Sequence, residues 1–306
     1  MLFLDVPLLR DADDYFGAYV ALVGLGPSFT GAALYAGTSD GSLALQGGVS
    51  TPAVLGPTET ALGGWLPNWI DETNTVTVNV GPGVLSSTTR AGIVGGTANI
   101  CAIGAPGRWE IVQFIRAVSL GNGRYTLSGF KRGMYGTEAN ALLHQATDKF
   151  CLLNAGGLLK PHFQLADLNT SKRYRPVSTG AALASGTSES DTDTGQCLKP
   201  LRPYNLRGAR AAGDLTLTWS RRTRYSENWL VGTMPLGETS EAYGVDIFTD
   251  NTFGTVKRTL ASTTPTVVYS SAQQVADFGA NQAAVYLRIY QISGSIGRGI
   301  PLQGTI

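Results

Sequence analysis

The chain has 306 residues and a formal net charge of +1, with charged residues at 15 % and glycine at 39 positions. So small a net charge supplies no global field to draw the chain to nucleic acid or to an anionic membrane. Abundant Gly, Thr, Ser and Val, without long Ala/Leu/Glu/Lys stretches, predict a mainly β chain of two or three domains with short strands and tight turns. The sparse charge, against roughly 25 % in ordinary globular chains, also predicts that partner chains cover part of the surface.

The start, Met1-Leu2-Phe3-Leu4-Asp5, lacks a basic n-region and meets an acid at its fifth residue, which is not a secretory signal. The longest apolar run, 18–25, is too short to span a bilayer, so no membrane span is expected. Residues 11–25 fit either a helix or a strand. Ser39-Asp40-Gly41-Ser42 separates two apolar runs and predicts a hairpin whose Asp-Gly accepts the positive φ of a type I′ turn. Gly56-Pro57 closes that segment.

From Trp65 the pattern is β. Thr75-Val76-Thr77-Val78-Asn79-Val80 alternates with period two and stops at Gly81-Pro82-Gly83. The apolar run 109–118 and Tyr125-Thr126-Leu127-Ser128 flank Gly121-Asn122-Gly123, where Asn-Gly is the strongest hairpin signal in the chain. Phe150-Cys151-Leu152-Leu153 ends a β-rich domain over 1–155, with two subdomains divided near 60–70. Residues 156–200 read as a connector. Its tract 185–195 has no apolar anchor and reads as a mobile loop or an excursion pinned only by a neighbour.

The last module, 201–306, reads as a β-sandwich. Leu215, Leu217 and Trp219 share one face of a strand, as do Tyr243, Val245 and Ile247, and Val285, Leu287 and Ile289. The opposite face of the third strand then carries Tyr286, Arg288 and Tyr290. With Arg221, Arg222, Arg224 and Trp229, these are the candidate contact residues, because Tyr, Trp and Arg are enriched at interfaces.

Candidate chemistry is thin. Cys101, Cys151 and Cys197 are odd in number and far apart, reading as free thiols with no zinc spacing. Only His144 and His162 are available as bases, and no Gly-x-Ser-x-Gly elbow accompanies them. His144 reads as structural. Glu59 with Glu72, or Asp71 with Glu138, can be posed as a glycosidase pair, but nothing local singles them out. Asp191 and Asp193 lack calcium-loop spacing. No catalytic group, cofactor or metal is expected.

Three co-linear blocks carry a family resemblance. They are Leu4-Asp5-Val6-Pro7-Leu8-Leu9-Arg10-Asp11 with Gly31-Ala32-Ala33-Leu34-Tyr35; 109–114 with Tyr125-Thr126-Leu127-Ser128-Gly129-Phe130-Lys131-Arg132-Gly133, Gly136-Thr137-Glu138 and His144; and Trp219-Ser220-Arg221-Arg222-Thr223-Arg224 with Pro235-Leu236-Gly237-Glu238, Glu241-Ala242-Tyr243 and Val256-Lys257-Arg258-Thr259. Together they resemble the distal part of the tail-tip or baseplate hub proteins of tailed bacteriophages and gene transfer agents. The resemblance covers most of 1–160 and 200–306. It implies a structural virion protein at the tail tip, made in the host cytoplasm, assembled as a homo-oligomer (commonly a trimer) beside other tail-tip proteins and contacting the host surface.

The same resemblance implies a fibronectin type III-like module at the end, although Val285 stands where such sandwiches place a corner tyrosine. Family members are usually longer, with hub and cell-wall-cleaving domains upstream. The chain therefore reads as a separate gene product or a distal part, and no hydrolase role is inherited. The alternative reading is a dedicated receptor- or carbohydrate-binding tail protein, with a cell-wall hydrolase behind it.

Overall fold

The computed structural model describes residues 1–24, 28–66, 70–153, 156–225 and 234–306. The chain is mainly β, with 42 % of the described residues in strands and 10 % in helices. It divides into two units, Met1–Leu9 with Asp13–Cys197, and Arg10–Ala12 with Leu198–Ile306.

The first unit contains thirteen strands among its described residues: β1 (Leu2–Leu4), β2 (Tyr19–Ala21), β3 (Ala32–Gly37), β4 (Ala44–Val49), β5 (Leu55–Pro57), β6 (Asp71–Asn79), β7 (Ile100–Gly104), β8 (Glu110–Gly121), β9 (Arg124–Met134), β10 (Lys149–Leu152), β11 (Leu158–Leu159), β12 (Ser171–Ser178) and β13 (Glu189–Thr192). They form sheets ordered β1-β2-β11, β5-β10-β7-β8-β9-β6 and β13-β12-β3-β4. The centre of the six-stranded sheet is buried on both faces. Cys101, Ile103, Val112, Phe114 and Phe150 enter one core, while Ile100, Ala102, Ile111 and Cys151 enter the other beside Leu4 and Tyr19. Burial on both faces explains why β7 is an unbroken apolar run rather than an alternating one. Cys101, Cys151 and Cys197 are free and buried.

The segment left open between helix and strand contains β2, paired with β1. The two hairpin signals divide in an instructive way. Asn122 (φ 52°) and Gly123 (φ 74°) form the two-residue loop between β8 and β9, with the positive φ at both positions that a type I′ turn requires. A Cβ on Gly123 would lie 2.0 Å from the carbonyl oxygen of Gly81, so glycine also permits docking on the 81–83 turn. The β3–β4 hairpin forms too, but neither Asp40 nor Gly41 has positive φ. Ser42 N donates to Ser39 O at 3.1 Å and Ser42 Oγ accepts from Ser39 N at 3.0 Å, closing the loop by hydroxyl chemistry instead.

Residues 156–197 differ from the expected connector. Tyr174 and Val177 are 1 % and 4 % exposed and anchor β12, which pairs with β3 on one side and β13 on the other. The polar tract is held by this ladder and by arginines, not by apolar contacts. Arg173 and Arg175 both reach Asp40, at 3.2 and 3.1 Å, and Ser188 Oγ donates to the same carboxylate at 2.7 Å.

The second unit contains β14 (Tyr204–Ala211), β15 (Asp214–Ser220), β16 (Tyr243–Phe248), β17 (Val256–Ser262), β18 (Thr266–Tyr269), β19 (Tyr286–Ser293), β20 (Gly297–Arg298) and β21 (Leu302–Thr305). One sheet is β14-β15-β18 and the other β17-β16-β19-β20, with β21 also on β19. All three alternating sets expected to face inward do so in one core, joined by Leu260 and Tyr269. Between β18 and β19 lies a helix, Ser271–Phe278, which sequence patterning left unassigned. Its start is a capping box between Ser270 and Gln273, and Gly279 ends it in the left-handed conformation.

Trp219 is 5 % exposed and meets Tyr243 edge-on at 5.1 Å. Trp219→Ala should cost roughly 3–5 kcal/mol, a large share of the stability of a module of this size. Limited proteolysis of the full chain should then cut within 198–306 well below the temperature at which the parent is cut; an unchanged cleavage profile would contradict this packing.

Candidate functional site

The densest polar chemistry is a buried charge network inside the six-stranded sheet. Arg132 sits where the β8–β9 register shifts between Ile111 and Gln113, a bulge that turns its side chain inward. Its side chain is 0 % exposed, as are those of Asp71 and Glu110. A guanidinium has five N–H donors, and here each has an acceptor. Nε donates to Glu110 Oε1 at 2.9 Å, Nη1 to Asp71 Oδ2 at 2.8 Å and Gly63 O at 3.0 Å, and Nη2 to Glu110 Oε2 at 2.9 Å and Ala141 O at 3.0 Å.

The network continues through His144. Its Nε2 lies 2.6 Å from Glu110 Oε2 and its Nδ1 3.2 Å from Asp148 Oδ2. Asp148 accepts from Gln145 N at 3.0 Å and is gripped in two-pronged fashion by Arg108. Three carboxylates (Asp71, Glu110, Asp148) thus surround two guanidiniums (Arg108, Arg132) and the His144 ring. Burial alone would raise the Glu110 carboxyl, but hydrogen bonds from His144 and Arg132 hold it below the ordinary glutamate range. Asp148 is held low in the same way, with Arg108, the Gln145 amide and His144 overcoming burial.

A histidine between two acids has the composition of an acid–base site, but this one is closed. His144 and Glu110 side chains are 1 % and 0 % exposed. The network ties β6, β8 and β9 to the 136–148 excursion. Three of the four acids posed as carboxylate pairs answer to arginines instead. Glu59 takes Arg124, Glu72 takes Arg90 and Arg116, and Asp71 takes Arg132. Sequence reading missed Arg132, Glu110 and Asp148; the available signal was an acid, Glu110, between the apolar Trp109 and Ile111. Among the described residues no group of three or more His, Cys, Asp or Glu is arranged to hold a metal, and no helix is long and apolar enough to cross a membrane.

The candidate contact residues fall into two groups. Arg221 donates from Nη1 to Pro235 O and from Nη2 to Met234 O, both at 2.9 Å. Arg224 donates to Gly237 O at 2.8 Å and lies 3.3 Å from Glu238. Both guanidiniums therefore hold the 234–238 segment. Arg222 is partly buried beside them, and Trp229 lies outside the described residues.

Tyr286, Arg288 and Tyr290 do share the outer face of β19, each half-buried. Arg288 lies 4.9 Å over the Phe248 ring and 5.4 Å from the Phe253 ring, with Nε donating to Gln303 Oε1 at 2.8 Å. Arg298 lies 4.6 Å over Tyr290 and pairs with Asp246 through both Nη atoms. The result is a layer of alternating guanidiniums and rings, with Phe248 only 3 % exposed beneath it. Elsewhere, a cleft of about 430 Å³ in the first unit is lined by Ser28, Phe29, Thr30, Val177, Ser178 and Glu189 among others, without converging charges.

A family described as Rcc01698-like, C-terminal matches residues 53–151, about a third of the chain. These bounds nearly coincide with the six-stranded sheet, from β5 to β10, and enclose every member of the charge network. No curated protein matches the chain.

Arg132→Met leaves Asp71 and Glu110 buried without their cation, which typically costs about 3–5 kcal/mol. We expect a fall in Tm of roughly 6–20 °C by calorimetry, with Glu59→Gln at the exposed Arg124 pair leaving Tm unchanged. An Arg132→Met protein that melts like the parent would contradict the network's structural role.

Proposed function

We propose that this protein is a structural component of a phage or phage-like tail tip or baseplate hub, assembled as a homo-oligomer beside other tail-tip proteins. The observation that carries this reading is the Rcc01698-like match, a family name associated with gene transfer agents. It falls on the six-stranded sheet, and the co-linear resemblance to hub proteins extends on both sides of it. Closure of the His144 network speaks for a scaffold over a hydrolase. We read the second unit as fibronectin type III-like from its two facing sheets, with the Ser271–Phe278 helix as an addition to that plan.

The guanidinium–aromatic layer favours a second reading, in which the module also contacts a host receptor or glycan. Arg221 and Arg224 are poor positions for testing it, because alanine there removes anchors of the 234–238 segment. Arg288 and Tyr290 are better placed.

Native mass spectrometry of the purified chain should give a closed homo-oligomer, with three copies expected from a threefold tail axis. Gold-labelled antibody should mark the tail tip of whole particles. A strict monomer together with particles that carry no label would overturn the proposal. Arg288→Ala/Tyr290→Ala particles that assemble but adsorb poorly would support the contact reading, and normal adsorption would remove it.

A further inference from the structure

The end of β1 and the polar tract before the unit boundary meet at a buried pair of acids. Asp5 accepts from Thr194 N at 2.8 Å and Thr194 Oγ1 at 2.6 Å on Oδ2, and from Gln196 N at 3.1 Å on Oδ1. Three donors thus converge on the Asp5 carboxyl. Asp193, 4 % exposed, is different. Its Oδ1 accepts from Gly195 N at 2.8 Å, while its Oδ2 is buried without a hydrogen-bond partner, close enough to Asp5 to feel its charge. A buried carboxyl oxygen with no donor, beside a second carboxyl, is where a proton costs least.

The neighbours do not supply a substitute. Lys160 is the cation that faces Asp193, but its Nζ donates to Asp13 O at 2.7 Å and Tyr15 O at 2.5 Å and lies 4.1 Å over the Tyr15 ring. The Cys197 thiol sits beside Lys160. Tyr174 on β12 and Asp191 on β13 also face this cluster, as does Asp167, which is paired with Lys172 at 3.0 Å. Burial first, and then the charge of Asp5, push the Asp193 carboxyl up to about 6.

We propose that Asp5 and Asp193 share one proton and form a pH-operated latch, which fastens residues 193–197 to the end of β1 and loosens when the proton leaves. Asp193 returns to the ordinary carboxyl value of 3.8 when the segment opens. Between that value and about 6 the closed form keeps a proton that the open form has given up. The penalty on closure therefore grows as pH rises through this window and stands in full above it.

The amides of Thr194, Gly195 and Gln196 donate to these two carboxyls and report the latch directly. In the intact chain their opening, from hydrogen exchange normalised to intrinsic rates, should increase about tenfold between pH 5 and pH 8. Asp193→Asn, whose Nδ2 donates to Asp5 at every pH, should abolish that increase. A flat profile in the parent, or an unchanged rise in Asp193→Asn, would overturn the latch. Carboxyl-carbon NMR of the parent gives an independent check that needs no variant. One side-chain carboxyl should titrate near pH 6, and titration of every carboxyl below pH 5 would also overturn it.

Discussion

Arg132 is the constraint around which the first unit is arranged. A guanidinium at 0 % exposure survives only where carboxylates and carbonyls replace its water, and it reaches Asp71, Glu110, Gly63 and Ala141 at once. The backbone bends to allow this. The β6–β9 pairing shifts register between Asp71 and Thr75, and the β8–β9 pairing shifts beside Arg132, so that alternation is broken on both flanks of the same cation. Removing one member strands the others in a low-dielectric site, and that asymmetry makes the network all-or-none.

The second unit reaches order by another route. Its interior is apolar and period-two, with Trp219, Tyr243 and Tyr269 as the large members. Some of its guanidiniums lie over rings, and Arg298 also pairs with the buried Asp246. Arg288 and Arg298 shield Phe248 and Tyr290 while keeping their polar edges near the surface. A stripe that reads as three interface residues is thus also a cover for its own sheet.

What the sequence disclosed follows the range of each interaction. Alternation in β15, β16 and β19, and Asn122-Gly123, are local signals and placed their residues well. The Asp40-Gly41 hairpin was legible, but its turn was not, because Asp40 is committed to Arg173 and Arg175 rather than to a turn conformation. β13 was hidden because a polar strand can be held by ladder and arginine, and β12 because Tyr174 and Val177 are its only buried anchors. The Ser270-to-Gln273 capping box was readable, yet its short helix sits in a β context that outweighed it. The charge network was hidden for a different reason. Its contacts join residues 22, 61, 34 and 40 positions apart, and no periodicity connects them.

The account rests on Arg132 and Glu110 acting as one structural unit within the matched family segment. A double-mutant cycle of Arg132→Met and Glu110→Gln, read by equilibrium unfolding of the full chain, measures that directly. We expect a coupling of about 1–3 kcal/mol, with the double variant more stable than the sum of the single losses implies. Single effects that add to within about 0.5 kcal/mol would contradict it.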